Sequence, residues 1–131
     1  MNQQIKVIAA LVHRPHFGFL QIKRSVAKGG FWTFPSGVIH IGETEQDAAI
    51  RETLEETSIF CKPTVRLGQR IHPNTQAAMI YWLCEYIKGE PQNLEPEKAD
   101  EVGFYSGASV IERAGPSLFI PALNALKSLR Y

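Results

Sequence analysis

Apolar and polar positions change period several times along this chain, and each change marks an element. KVIAALV (residues 6–12) and FGFLQIK (residues 17–23) are short β-favouring runs separated by HRPH, with Pro15 as punctuation, and they predict a pair of strands. AKGGFWTFPSG (residues 27–37) combines glycines and a proline with aromatic rings, which suggests an irregular loop clamped onto the core by Phe31, Trp32 or Phe34. Helical spacing follows. Thr44 with Asp47 three residues later fits a capping box, and Glu43, Glu45 and Asp47 set negative charge near the positive end of a helix dipole. Over residues 48–57, Ile50, Thr53, Leu54 and Thr57 form a face able to lie on a sheet. Ala48, Glu52, Glu55 and Glu56 form a second face, predicted to turn outward.

Beyond Pro63, TVRLGQRI (residues 64–71) and AAMIYWLCEYI (residues 77–87) read as strands. The second is apolar at odd and even positions alike, as a strand covered on both faces would be, and is expected at the centre of the sheet. KGEPQNLEPEKAD is polar and proline-bearing, EVGFYS predicts a short edge strand, and IPALNALKSLR carries Ala122, Leu123, Leu126 and Leu129 at helical spacing. No repeat or linker interrupts the pattern. A sheet with two helices on its faces is an α/β fold, a layered α/β/α sandwich, with the strand order left open.

Composition narrows the functions available. A length of 131 residues suits one domain spanning 1–131, and 44% apolar with 21% charged residues is the balance of an ordinary globular protein. A net charge of +1 supplies no excess of cations for following a nucleic-acid polymer or an anionic membrane. The N-terminal residues lack a charged lead followed by a signal-length apolar core, and no run reaches membrane-span length, so a cytoplasmic location is the expectation. Cys61 and Cys84 have no paired spacing and read as separate buried thiols.

The chemistry concentrates in one helix. Glu52, Glu55 and Glu56 crowd one side of it, where each like-charged neighbour pair costs about 0.2–0.5 kcal/mol. Something outside the helix should compensate. Hard divalent cations such as Mg2+ take oxygen ligands and are held by a few carboxylates together with substrate phosphates. Such an ion neutralises charge on phosphate oxygens and makes a bound water nucleophilic near neutral pH.

The whole stretch GVIHIGETEQDAAIRETLEETSI (residues 37–59) resembles the signature of the Nudix hydrolases. That signature is glycine, five residues, glutamate, seven residues, Arg-Glu-apolar, one residue, Glu-Glu, one residue, Gly-apolar. Gly37, Glu43, Arg51, Glu52, Glu55, Glu56 and Ile59 stand at the matching places; Thr53 replaces the apolar residue and Ser58 the helix-ending glycine. Thr53 is expected to face the sheet and to bond a preceding carbonyl, and Ser58 to end the helix by a geometry other than the left-handed one.

The resemblance implies a Nudix-type sandwich with a mixed sheet between helices, and a pyrophosphohydrolase dependent on Mg2+, with Mn2+ as an alternative. Glu52, Glu55 and Glu56 would ligate metal with the Gly37 carbonyl, Arg51 and Glu43 would orient them, and Glu52 is also a candidate for activating water. Family members add a carboxylate from a later loop; Glu97 is the first candidate here, with Asp100 and Glu101 as alternatives. Lys23 and Arg24 end the second strand where substrate phosphate would lie. A nucleoside triphosphate, cut to monophosphate and pyrophosphate, is the first expected substrate. Nucleotide sugars, ADP-ribose and dinucleoside polyphosphates are alternatives, as is a catalytically silent nucleotide-binding module. The protein is expected to act as a monomer or homodimer.

Overall fold

The structure is a computed structural model that describes residues 4–73 and 75–129. Strands β1 (Lys6–Arg14), β2 (Gly18–Arg24), β3 (Trp32–Thr33), β4 (Ser36–Val38), β5 (Phe60–Ile71), β6 (Ala78–Lys88) and β7 (Ala99–Tyr105) join in one sheet. The principal order is β3-β2-β1-β6-β5, with β4 added on β1 and β7 on β2. β1 runs parallel to β6 and antiparallel to β2 and β4, so the sheet is mixed. The helices are α1 (Glu45–Thr57), α2 (Gly107–Ala114) and α3 (Ile120–Ser128).

Alternation along β1 generates the layers. Ile8, Ala10 and Val12 join Leu20, Ile80, Ala48 and Ala49 in the core beneath α1, while Ala9 and Leu11 join Phe19, Tyr81, Val110 and Leu126 beneath α2 and α3. Both faces of β1 are therefore apolar, because helices cover both. The centre belongs to β1 and not, as expected, to β6, which lies one place further out between β1 and β5. Both are bonded on each side, and periodicity alone does not tell such strands apart.

Other elements depart from the pattern as well. β5 begins at Phe60 and runs through Pro63; it pairs with β6 alone among the described residues, and a proline is tolerated where its missing N–H faces outward. Helix α2 was not anticipated. Its eight residues are too few for a clear 3.6-residue period, though Ser106 caps it by accepting from the Ser109 N–H.

Helix α1 starts as read, with Thr44 Oγ1 accepting from the Asp47 N–H at 3.0 Å. Its buried residues are Ala48, Ala49, Thr53, Glu56 and Thr57, so the acidic face is not simply turned outward: Glu56 faces inward. Thr57, not Thr53, donates its hydroxyl to a preceding carbonyl, that of Thr53, at 2.6 Å. Ser58 adopts the left-handed conformation (φ 67°, ψ 13°) that glycine usually occupies, against the expectation of another ending. Its N–H closes the last turn on Leu54 O at 3.0 Å, and that bond offsets part of the conformational cost.

Candidate active site

Strand β4 carries the chain from the centre of the sheet to the foot of α1. Ser36, Gly37 and Val38 lie opposite Ala9, Ile8 and Val7 of β1, so the loop before the helix is anchored to the central strand. Gly37 faces Glu52 so closely that a Cβ there would run into its carboxylate. Close approach, not unusual backbone torsion, is what requires glycine at this position.

Arg51 joins loop to helix. Its Nε and Nη2 donate to Glu43 at 2.7 and 2.9 Å, its Nη2 also to Val38 O at 3.1 Å, and its Nη1 to Glu52 at 2.7 Å. A longer ion pair of 3.4 Å reaches Glu55. Glu43 is further bound by the His40 N–H at 3.0 Å, and the Arg51 guanidinium holds its carboxyl at about 2, well below the ordinary range. The Arg51 guanidinium is correspondingly harder to deprotonate.

The three signature glutamates sit in three different environments. Glu55 is open to solvent, with its side chain 57% exposed. Glu52 is half-buried, and desolvation pushes its pKa up despite Arg51, with Glu55 and Glu95 adding repulsion. Glu56 is only 8% exposed; burial raises it to about 7, against the opposing pull of the Ser36 N–H at 2.9 Å and Arg24 Nη2 at 3.2 Å. Desolvated carboxylates that repel one another are oxygen donors of the kind a hard divalent cation takes, so this donor set fits such an ion. Among the described residues, no three carboxylate, histidine or cysteine side chains are already gathered into a cage.

The remaining candidates separate. Arg24 reaches Glu56, whereas Lys23 stands in register with Glu101 and Trp32. Glu97 and Asp100 are exposed, and Glu101 accepts the Tyr105 hydroxyl at 2.6 Å. The loop carboxylate whose charge bears on Glu52 is Glu95, which the sequence reading missed. Its backbone N–H bonds Asn93 Oδ1, its carbonyl accepts from the Lys98 and Ala99 N–H groups, and Lys98 Nζ lies 3.5 Å from its carboxylate. Asn93 and Pro96 around it were the signal of a turn that could aim it inward. Aromatic rings of the sheet have partners of their own: Tyr81 stacks on Phe119, Trp82 Nε1 donates to Glu45 at 2.8 Å, and Trp32 packs edge-on against Tyr105 beneath the Arg113 guanidinium.

The fold and the glutamate-bearing helix define a known class: the NUDIX domain model matches residues 3–119, and the chain belongs to that family. An NAD-capped RNA hydrolase NudC of Mannheimia succiniciproducens is 33% identical over 94 residues, covering 70% of this chain and 31% of that protein. Its counterpart in Pasteurella multocida is 38% identical over 63 residues, 48% of this chain and 24% of that one. The chain thus spans about a quarter to a third of the length of these curated relatives. A NUDIX hydrolase from Nitrosomonas europaea superposes with a TM-score of 0.75 at 16% identity, covering 98% and 93% of the two chains. An ADP-ribose pyrophosphatase from Streptococcus suis superposes with a TM-score of 0.72 at 16% identity, covering 94% and 92%. These superpositions bear on the fold alone.

Proposed function

We propose that this domain hydrolyses a diphosphate linkage in a nucleotide, with a nucleoside triphosphate as first substrate, in a reaction dependent on Mg2+ or Mn2+. The observation that carries the reading is the pair of desolvated glutamates on α1, Glu52 under Gly37 beside Arg51 and Glu56 beside Arg24, with Glu55 open to solvent on the same helix. Glu52, Glu55 and Glu56, with the Gly37 carbonyl, would hold the cation, and Glu95, whose charge bears on Glu52, is taken ahead of Glu97 as the loop contributor. When bound, the cation supplies charge neutralisation at the phosphate oxygens and a water acidified toward neutral pH.

The protein's own groups do the rest. Arg51 and Glu43 position the carboxylates, and Glu52, released from Arg51, is the candidate to take a proton from the attacking water. Arg24 pairs with Glu56 and is the first candidate to contact substrate phosphate. Lys23, in register with Glu101, is the second candidate. A monomer or homodimer in the cytoplasm remains the working assignment.

A second substrate class has its own support. The curated relatives are named for NAD-capped RNA, which supports dinucleotide diphosphates as a second class to test and a capped nucleic acid among them. The test is product analysis after incubation with nucleoside triphosphates, NAD, NAD-capped RNA, ADP-ribose, nucleotide sugars and dinucleoside polyphosphates, each with Mg2+ or with EDTA. Cleavage of one class that EDTA abolishes is the expected result. All substrates intact, with nucleotide binding retained, would leave the silent nucleotide-binding module as the better account.

A further inference from the structure

Beneath α1, on the face of the sheet that supports the glutamates, lie the two cysteines of the chain. Cys61 of β5 is in register with Tyr86 of β6, and Cys84 stands two residues before Tyr86, so both side chains point to the same face. They belong to one buried cluster, Cys61 6% exposed and Cys84 0%. Each thiol bears on the other's protonation, as the Thr53 hydroxyl of α1 does on that of Cys61, while Cys84 Sγ donates to Trp82 O at 3.7 Å. Diagonal neighbours on a regular ladder are about 7–8 Å apart, slightly long for a disulfide. The ladder here is irregular: its register shifts beside Cys61 and again after Pro63.

We infer that Cys61 and Cys84 form a modification site, a buried thiol pair that a hydroperoxide converts into an intramolecular disulfide. Neighbouring Cys84 holds the Cys61 thiol below its usual range, favouring the thiolate, while burial and Cys61 push Cys84 the other way. The Cys61 thiolate attacks one oxygen of the peroxide; the O–O bond breaks, a sulfenic acid forms, and the departing hydroxide takes the thiol's proton as water. The Cys84 sulfur, giving up its proton, then displaces the sulfenic hydroxyl, so that an S–S bond replaces S–O and a second water leaves. Two thiols lose two electrons and one peroxide gains them. Access comes through β5, which has one partner strand, three register irregularities and a proline without an N–H, the features of a segment that opens locally.

The experiment exposes the reduced full-length chain to hydrogen peroxide, quenches with acid, alkylates with N-ethylmaleimide after unfolding, and reads intact and peptide masses. The expected result is joint loss of both alkylation sites, a Cys61–Cys84 cross-linked peptide, and recovery of both sites with dithiothreitol. In Cys61→Ser the Cys84 thiol should survive the same exposure, and in Cys84→Ser Cys61 should stop at, or pass beyond, the sulfenic acid without cross-linking. Circular dichroism establishes that each variant is folded. Independent oxidation of the two residues, a disulfide between chains, or survival of both thiols under peroxide that oxidises free cysteine would overturn the inference.

Discussion

At the scale of single residues, Glu56 is the position where burial and chemistry meet. A glutamine keeps its shape and can still accept the Ser36 N–H, but removes the charge facing Arg24. Glu56→Gln should lower kcat on the order of a hundredfold, since the proposed metal ligation, worth about 3 kcal/mol in the transition state, would be lost. Steady-state kinetics beside a thermal melt check this; near-full metal-dependent turnover in a folded variant would remove Glu56 from the proposed ligands. Gly37→Ala tests a contact instead of a charge. The added methyl collides with the Glu52 carboxylate, so activity should fall tenfold or more while Tm changes by only a few degrees. Glu43 supplies the pH dependence: its folded pKa, about 2, lies below the unfolded value, so its contribution is present above about 4.5 and is lost as pH falls toward 2. After allowance for solvent screening that is about 1–2 kcal/mol, and urea denaturation at pH 5.5 and pH 3 should show a smaller difference in Glu43→Gln than in the wild type.

At the scale of elements, helix α1 is secured at both ends by unlike means. At its start, Glu45 accepts from Trp82 Nε1 and from Arg66 Nε, each at 2.8 Å, which ties the first turn to β6 and β5. At its end, Ser58 occupies a left-handed conformation that costs a residue with a Cβ about 1 kcal/mol. Ser58→Gly should therefore raise Tm by a few degrees with little change in kcat, measured by calorimetry and steady-state assay. This helix was the most legible part of the sequence, because its cap, its carboxylate spacing and Arg51 all act within a few residues of one another. What stayed hidden came from distance along the chain. Glu56 is turned inward by Ser36 and Arg24, twenty and thirty-two residues earlier, and Glu95 approaches Glu52 only through the path of a loop. Ser58 takes the left-handed ending because the closing bond to Leu54 offsets part of its cost, and α2 escapes the periodic pattern because eight residues span barely two turns.

At the scale of the whole molecule, the sheet divides the chain into a chemical face and a supporting face. The apolar alternation of β1 made the layers readable, while the strand order depended on contacts that no local pattern encodes, such as the parallel pairing of β1 with β6. No helix among the described residues is long and apolar enough to cross a membrane. An open groove of about 580 Å3 lies beside Glu43, lined by Ile5, Lys6, Val38 and Ile41 among others. Anchoring β4 on β1 also has a kinetic reading. The Ala10 and Ile39 amides, bonded to Pro35 O and Lys6 O, frame the segment whose Ser36 N–H holds Glu56. Those protons should exchange with deuterium only when the entire domain unfolds, whereas amides of the Val26–Lys28 turn should exchange within the first time points. Such a profile would mean that the glutamates retain their supporting backbone through every partial opening, so that heat or denaturant abolishes the site and the fold in a single step.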